Sequence, residues 1–285
     1  MKPVIPVAAG CMVNAAGEVL IAQRPAGKIA AGQWEFPGGK IERGESAHDA
    51  LLRELHEELG VTVRAARPLI RITHDYSDRS VILDTWLVSG FDGEPHAREN
   101  QALAWVLPSR LSDYPLLAAD RPIVTALRLS ADYVFTPPGA DENFLLSGLQ
   151  SLPLGALLRL RLPPLSDADY AVLARRLAPH CREIGLHLML DRDPALAAEL
   201  GAGWHARAAR LRGLHERPVP ASCWFGASIH DVRELEMAAA ASVDFLVLGP
   251  VRATRSHPAA AALGWERFAA LAQRANRPVY AIGGT

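Results

Sequence analysis

The sequence predicts two domains of different class: a compact α+β unit over residues 1–130, then a parallel (β/α)8 barrel over residues 131–285. Three observations lead there. The first 130 residues combine alternating apolar strands with one strongly patterned acidic helix. From Tyr133 onward, short apolar runs alternate with helical stretches at the spacing of a parallel sheet. At 285 residues the chain is also long enough for two domains.

In the first unit, residues 4–14 and 18–23 predict two strands joined at Asn14-Ala-Ala-Gly17 by a hairpin-like turn. Residues 67–75, 80–89 and 102–106 predict further strands. A helix is expected over 119–129, opened by Asp120-Arg-Pro122 with Pro early in the first turn. Between these lies the most informative stretch, 45–59, which predicts a helix. Leu51, Leu55 and Leu59 recur every fourth residue, with Leu52 beside them, and make one apolar stripe. Glu54, Glu57 and Glu58 stand at i, i+3 and i+4 and share another face. Like charges so close destabilise an isolated helix, whereas a hard cation such as Mg²⁺ needs several carboxylate oxygens together. Gly60 follows as a C-cap, and Gly38-Gly39 lets the preceding backbone turn sharply. Arg53 can pair with a neighbouring carboxylate.

In the second unit, candidate strands cover 133–136, 156–162, 186–191, 203–205, 222–228, 243–248 and 278–282. Helical pieces include 167–180, 230–241 and 264–275. A TIM-type barrel is the expectation. Seven strands are visible and the sequence stops at Ala281-Ile-Gly-Gly-Thr285, so the barrel reads as cut short after the seventh.

Composition narrows the partners. Hydrophobic residues make up 49% and charged residues 21%, with a net charge of −1. No broad basic surface for duplex nucleic acid is implied, so a small-molecule substrate is expected. No apolar run is long and charge-free enough to span a membrane, and the N-terminus lacks a signal-peptide pattern. Cys11, Cys181 and Cys223 are scattered, which suggests neither a disulfide framework nor a zinc site and fits a reducing cytoplasm. The sequence leaves the oligomeric state open.

From Gly39 to Val61 the chain matches G-x5-E-x7-R-E-U-x-E-E-x-G-U (U apolar) without departure, with Glu45, Arg53, Glu54, Glu57, Glu58 and Gly60 in register. This resembles the Nudix box. The likeness to MutT-type Nudix hydrolases extends through Val19–Arg24, Trp34–Lys40, Asp78-Arg79, Gly93-Glu-Pro95, Glu99-x-Gln101, Trp105 and Asp120-Arg-Pro122. It implies the Nudix fold, a mixed sheet between helices, and hydrolysis of 8-oxo-dGTP to the monophosphate and pyrophosphate with Mg²⁺, Mn²⁺ being the alternative ion. By the same resemblance, Gly39, Glu54, Glu57, Glu58 and Glu99 would hold the metal. Glu54 would be the general base with Arg53 orienting it, and Glu99 the second candidate. Lys40 would touch phosphate, while Arg24, Phe36, Arg79 and Asp120 would hold the base. Two readings of Asp120 stay open. It stands where the family commonly has an Asn that reads the purine edge, and Asp is also a favoured N-cap. Phe36 is likewise either a stacking platform or a core aromatic.

Residues 133–285 resemble the thiamine-phosphate synthase and thiazole tautomerase barrels. The matching pieces are Tyr133–Pro137, Leu160-Arg161, Asp191-Arg192, Gly203-Trp-His205, Gly226–His230, Leu248–Val251 and Ala281–Gly284. Gly283 and Gly284 suit a phosphate-binding mouth. His230 lines up with a proton-shuttling histidine, or else caps the following helix. Leu190 stands where the resemblance expects Asn, and Arg210 falls near a second metal-binding Asp, so a Mg²⁺–diphosphate site is not expected. Two other functions follow from the fusion: hydrolysis of damaged or analogue thiamine diphosphates, with the barrel binding the thiazole part, and a thiamine-related binding or regulatory role.

Overall fold

The computed structural model describes residues 2–253 and 261–283. By its internal contacts the chain divides into two compact units, Met1–Arg128 and Leu129–Thr285.

The first unit contains β1 (Val4–Met12), β2 (Val19–Gln23), β3 (Trp34–Glu35), β4 (Gly38–Lys40), α1 (Ala47–Leu59), β5 (Thr62–Asp75), β6 (Ser80–Asp92), β7 (Leu103–Val106) and α2 (Arg121–Arg128). Four strands form a mixed sheet in the order β4-β1-β6-β5, with β1 parallel to β6 and antiparallel to β4. The shorter strands form a second, antiparallel sheet, β3-β2-β7. The hairpin expected of β1 and β2 is therefore corrected. A turn does form, Gly17 N–H donating to the Asn14 carbonyl and Asn14 N–H to the Glu18 carbonyl, both at 3.0 Å, but among the described residues the strand pairing stops at the Val13–Val19 bridge. Both edges of β1 are occupied by β4 and β6, so β2 leaves for the other sheet.

The pleat of β1 sends alternate side chains to opposite faces. Ala8 and Met12 pack with Leu51, Leu55 and Leu59 of α1. Ala9 and Cys11 pack with Ile123 of α2. The sheet thus lies between the two helices. The acidic helix is held by its apolar stripe, with Ser46 Oγ accepting from Asp49 N–H at the N-cap and Gly60 in the left-handed region (φ 73°) at the C-cap. Gly10 on β1 gives the stripe room, since a Cβ there would lie 2.9 Å from a Leu55 methyl.

The second unit contains β8 (Tyr133–Phe135), α3 (Glu142–Leu149), β9 (Leu157–Leu160), α4 (Asp167–Glu183), β10 (His187–Leu190), α5 (Pro194–Leu200), β11 (Gly203–Ala206), α6 (Ala208–Leu211), β12 (Phe225–Ile229), α7 (Val232–Ala240), β13 (Phe245–Leu248), α8 (Trp265–Arg274) and β14 (Val279–Ala281). Its seven strands are all parallel and run in sequence order, β8 to β14. Parallel neighbours need a crossover, and the helices supply it. The sheet nearly closes on itself. The Tyr133 and Tyr280 rings lie 5.4 Å apart, and Tyr280 donates its hydroxyl proton to the Ser130 carbonyl. The eighth strand of the expected barrel is not among the described residues, and Gly284 also lies outside them. Among the described residues no helix is long and apolar enough to cross a membrane.

Leu55 is fully buried between α1 and β1. Replacing it with Ala is expected to destabilise the first unit by about 2–5 kcal/mol in chemical denaturation. A loss under about 1 kcal/mol would mean that α1 is not anchored through this stripe.

Candidate active site

Arg53, on α1, organises the acidic face. Its Nε and Nη2 donate to the two oxygens of Glu45 at 2.9 and 3.0 Å. Nη1 donates to Glu54 at 2.8 Å and to Glu57 at 3.3 Å, and Nη2 also reaches the Lys40 carbonyl at 3.0 Å. One guanidinium therefore ties the strand end, the loop and the helix together. It keeps Glu45 charged, below the usual carboxylate range, through the hydrogen bonds from Arg53 and from the Glu42 backbone. Gly39 lies against the carboxylate of Glu54. A Cβ on Gly39 would lie 2.2 Å from the Glu54 carboxyl carbon, so Glu54 occupies space that only glycine leaves.

Glu58 sits deeper. It accepts from the Gly38 N–H at 3.1 Å, yet burial first, then the charges of Glu99, Glu54 and Glu35, push its pKa up to about 7. Four carboxylates thus share one electrostatic field. Glu99 is brought in by the loop before β7. Its N–H donates to Gln101 Oε1 at 2.8 Å, while Gln101 Nε2 donates to the Glu58 carbonyl at 3.3 Å. Gln101 is buried and fastens that loop to the end of α1. Lys28 covers Glu99 at 2.6 Å. Neither Lys28 nor Glu35 was among the sequence candidates, and Gln101 was read only as part of a motif.

Among the described residues no three acidic, His or Cys side chains gather closely enough to hold a metal ion. Glu54 and Glu57 lean on Arg53, and Glu99 leans on Lys28. The donor set nonetheless suits a hard divalent cation. Its oxygens are carboxylate, they repel one another, and Gly39 holds one of them in a cradle that a Cβ would fill.

The base-side candidates fall into two groups. Arg24 pairs with Glu35 and donates from Nε to the Ile29 carbonyl at 2.7 Å. Arg79 pairs with Asp78 at 2.7 Å and lies over the Tyr76 ring. Lys40 is exposed, with its backbone carbonyl held by Arg53. Phe36, by contrast, is 4% exposed and packs among Ala9, Cys11, Ile21 and Ile123, so its ring belongs to the core.

Asp120 lies at the end of a short 3-10 turn, Ala118–Asp120, just before α2. It is 3% exposed and its Oδ2 has no hydrogen-bond partner among the described residues. Burial first, then the Glu35 charge, push its pKa up to about 8, against the opposing pull of the Phe36 N–H and Arg24. Tyr76 also lies within its field. None of the described hydrogen bonds runs from the first turn of α2 to this carboxyl, as capping would require.

In the second unit, His230 directs Nδ1 to the Gly249 carbonyl at 2.5 Å, and its own N–H donates to Glu234 at 2.7 Å. Asp231, not His230, caps α7. Gly283 accepts from Arg252 N–H at 2.9 Å.

Comparison with known proteins divides at the same place. The NUDIX domain family profile matches residues 8–126, and the thiamine monophosphate synthase profile matches residues 132–285. The CTP pyrophosphohydrolase of Escherichia coli K12 is 42% identical over 126 residues, covering 44% of this chain and 92% of the relative. The 8-oxo-dGTP diphosphatase of the same organism is 34% identical over 122 residues, covering 43% of this chain and 95% of the relative. That of Proteus vulgaris is 42% identical over 93 residues, covering 33% of this chain and 83% of the relative. The chain therefore belongs to the Nudix pyrophosphohydrolases through its first unit and to the thiamine monophosphate synthase family through its second.

Proposed function

We propose that the first unit hydrolyses 8-oxo-dGTP, or a related oxidised purine nucleoside triphosphate, to the monophosphate and pyrophosphate. The observation that carries this reading is the carboxylate of Glu54, seated on Gly39 and fixed by Arg53 within the field of Glu58 and Glu99. Water adds to a phosphorus of the triphosphate chain and a bridging P–O bond breaks. Glu54 takes the proton from that water, with Glu99 the second candidate. Arg53 does not touch substrate; it sets the direction of the Glu54 carboxylate. Lys40 supplies positive charge toward the phosphates, while Arg24 and Arg79 stand on the base side. Gly39, Glu54, Glu57, Glu58 and Glu99 would hold Mg²⁺, or Mn²⁺, which when bound neutralises charge on the phosphate chain.

Base recognition rests on Asp120. A protonated carboxyl offers one donor beside one acceptor, as an Asn amide does. Its burial, its unpartnered Oδ2 and its raised pKa support that state near neutral pH. The same pair suits the donor–acceptor edge of cytosine. Likeness to a CTP pyrophosphohydrolase at 42% identity favours CTP as a second reading.

Three measurements test these assignments. The first is kcat/KM with Mg²⁺ for 8-oxo-dGTP, dGTP, CTP and oxidised thiamine diphosphate. 8-oxo-dGTP is expected to lead, and Glu57→Gln to lower its rate by about 10- to 100-fold or more. A lead for CTP establishes the second reading, and a lead for the thiamine compound overturns both. The second is Gly39→Ala. The added methyl displaces Glu54, so kcat should fall by about 10²-fold with the fold intact by circular dichroism. An unchanged kcat would remove Glu54 from the mechanism.

The third is a pH profile. A carboxyl raised in the folded state keeps its proton where the unfolded chain has lost it. The stability it contributes is full at acid pH and is lost as pH rises from about 4 toward about 8. Wild-type kcat/KM should fall as pH passes through about 8, while Asp120→Asn should lack that step. The same step in the Asn variant would detach base recognition from Asp120.

A further inference from the structure

The strands of the second unit sort their side chains by parity. Leu158, Leu160, Leu188 and Leu190 join the large core on the helix side of the sheet. Leu157, Met189, Phe245 and Val247 form a separate cluster with Tyr133 and Tyr280. Arg159 and His205 share the parity of that inner cluster and stand inside the ring. Gly226 leaves them room, since a Cβ there would lie 2.4 Å from the Phe245 ring and 3.1 Å from His205 Nδ1.

Arg159 is 4% exposed, and its Nε has no hydrogen-bond partner among the described residues. Its Nη2 reaches Asp191 Oδ2 at 3.3 Å, and Arg207 Nη2 reaches the same oxygen at 3.3 Å. Each guanidinium thus spends one long bond on a shared acceptor and leaves most of its fork free. Arg161 is half-buried and has no carboxylate partner among the described residues. It follows Arg159 by two residues and so keeps its parity, with its N–H donating to Thr136 Oγ1 at 2.8 Å. Burial first, then the charges of Arg159 and Arg207, lower its pKa against the pull of Asp191. His205 adds no counter-charge. It is fully buried between Tyr133 Oη and Ser228 Oγ, both at 2.8 Å, and burial with the three arginines holds it neutral. Three guanidiniums against one carboxylate leave a net charge of +2. Asp191 and Arg207 also line a cavity of about 750 Å³ that Arg159 and Arg161 do not line.

The family of this unit implies a divalent metal with a diphosphate at such a mouth. The residues present do not fit it. Asp191 is covered by two arginines, and an incoming cation would meet a third. We propose instead that the mouth of this barrel is a metal-independent site for a phosphate-class dianion, held by Arg159, Arg161 and Arg207. A phosphate monoester carries about −1.5 to −2 charges near neutral pH, which matches the surplus. The guanidinium fork matches its oxygens two at a time.

The test uses the full chain, inorganic phosphate as the probe, EDTA to remove divalent ions, and calorimetry at constant ionic strength. Saturable binding is expected. It should weaken at least about tenfold in Arg161→Gln/Arg207→Gln and stay unchanged in Glu57→Gln. Acetate should not compete. Should the double variant melt early, Arg207→Gln alone, at an exposed position, should still weaken binding by about threefold. Absence of binding, a requirement for Mg²⁺, full affinity in the arginine variants, loss in Glu57→Gln, or equal competition by acetate would each overturn the proposal. None of these outcomes depends on which nucleotide the first unit hydrolyses.

Discussion

The first unit depends on the guanidinium of Arg53. Glu45, Glu54 and Glu57 project from within four turns of chain, and without a central cation they would repel one another. Arg53 bonds to all three and to the Lys40 carbonyl. It therefore does two jobs with one charge: it makes an acidic helix face tolerable, and it docks the end of β4 onto that helix. Charge-assisted, two-pronged contacts of this kind fix direction as well as distance. Lysine, with one point charge, could not reproduce the pattern.

The two units handle buried charge in opposite ways. In the first, carboxylates outnumber the cations that reach them, and Glu58 and Asp120 respond by holding protons more tightly. In the second, cations outnumber carboxylates. Arg161 and His205 respond by holding protons less tightly. Burial dominates all four shifts, and the sign of the neighbouring charges sets what each site could neutralise on binding.

Much of this was legible in the sequence. The acidic helix and its C-cap follow from spacing alone, because leucines, glutamates and Gly60 fall at fixed offsets within one element; the helix begins at Ala47 behind the N-cap Ser46, two residues later than its spacing suggests. The seven barrel strands were visible as short apolar runs. What escaped was anything fixed by distant pairing. Lys28 meets Glu99 across 71 residues and Gln101 meets Glu58 across 43, and no local pattern encodes either contact. β3 and β4 are two and three residues long, too short for a period to show. Phe36 read equally as platform or core, since a ring beside Pro-Gly-Gly fits both, and only the packing around it decides. Arg159 was passed over because a lone arginine in an apolar strand carries no signal until the ring closes round it.

β1 carries a further consequence. Its even-numbered residues face α1 and its odd-numbered residues face α2, and each face belongs to a different core. On the α2 face Ala9 and Cys11 are close in size, so exchanging one for the other changes volume only modestly, whereas on the α1 face Met12 is much larger than Ala8. Inserting or deleting a single residue is another matter. It would carry every downstream side chain to the wrong face, move Gly10 from under Leu55, and break the pairing with β4 and β6 together. In this strand the number of residues is constrained more tightly than their identity.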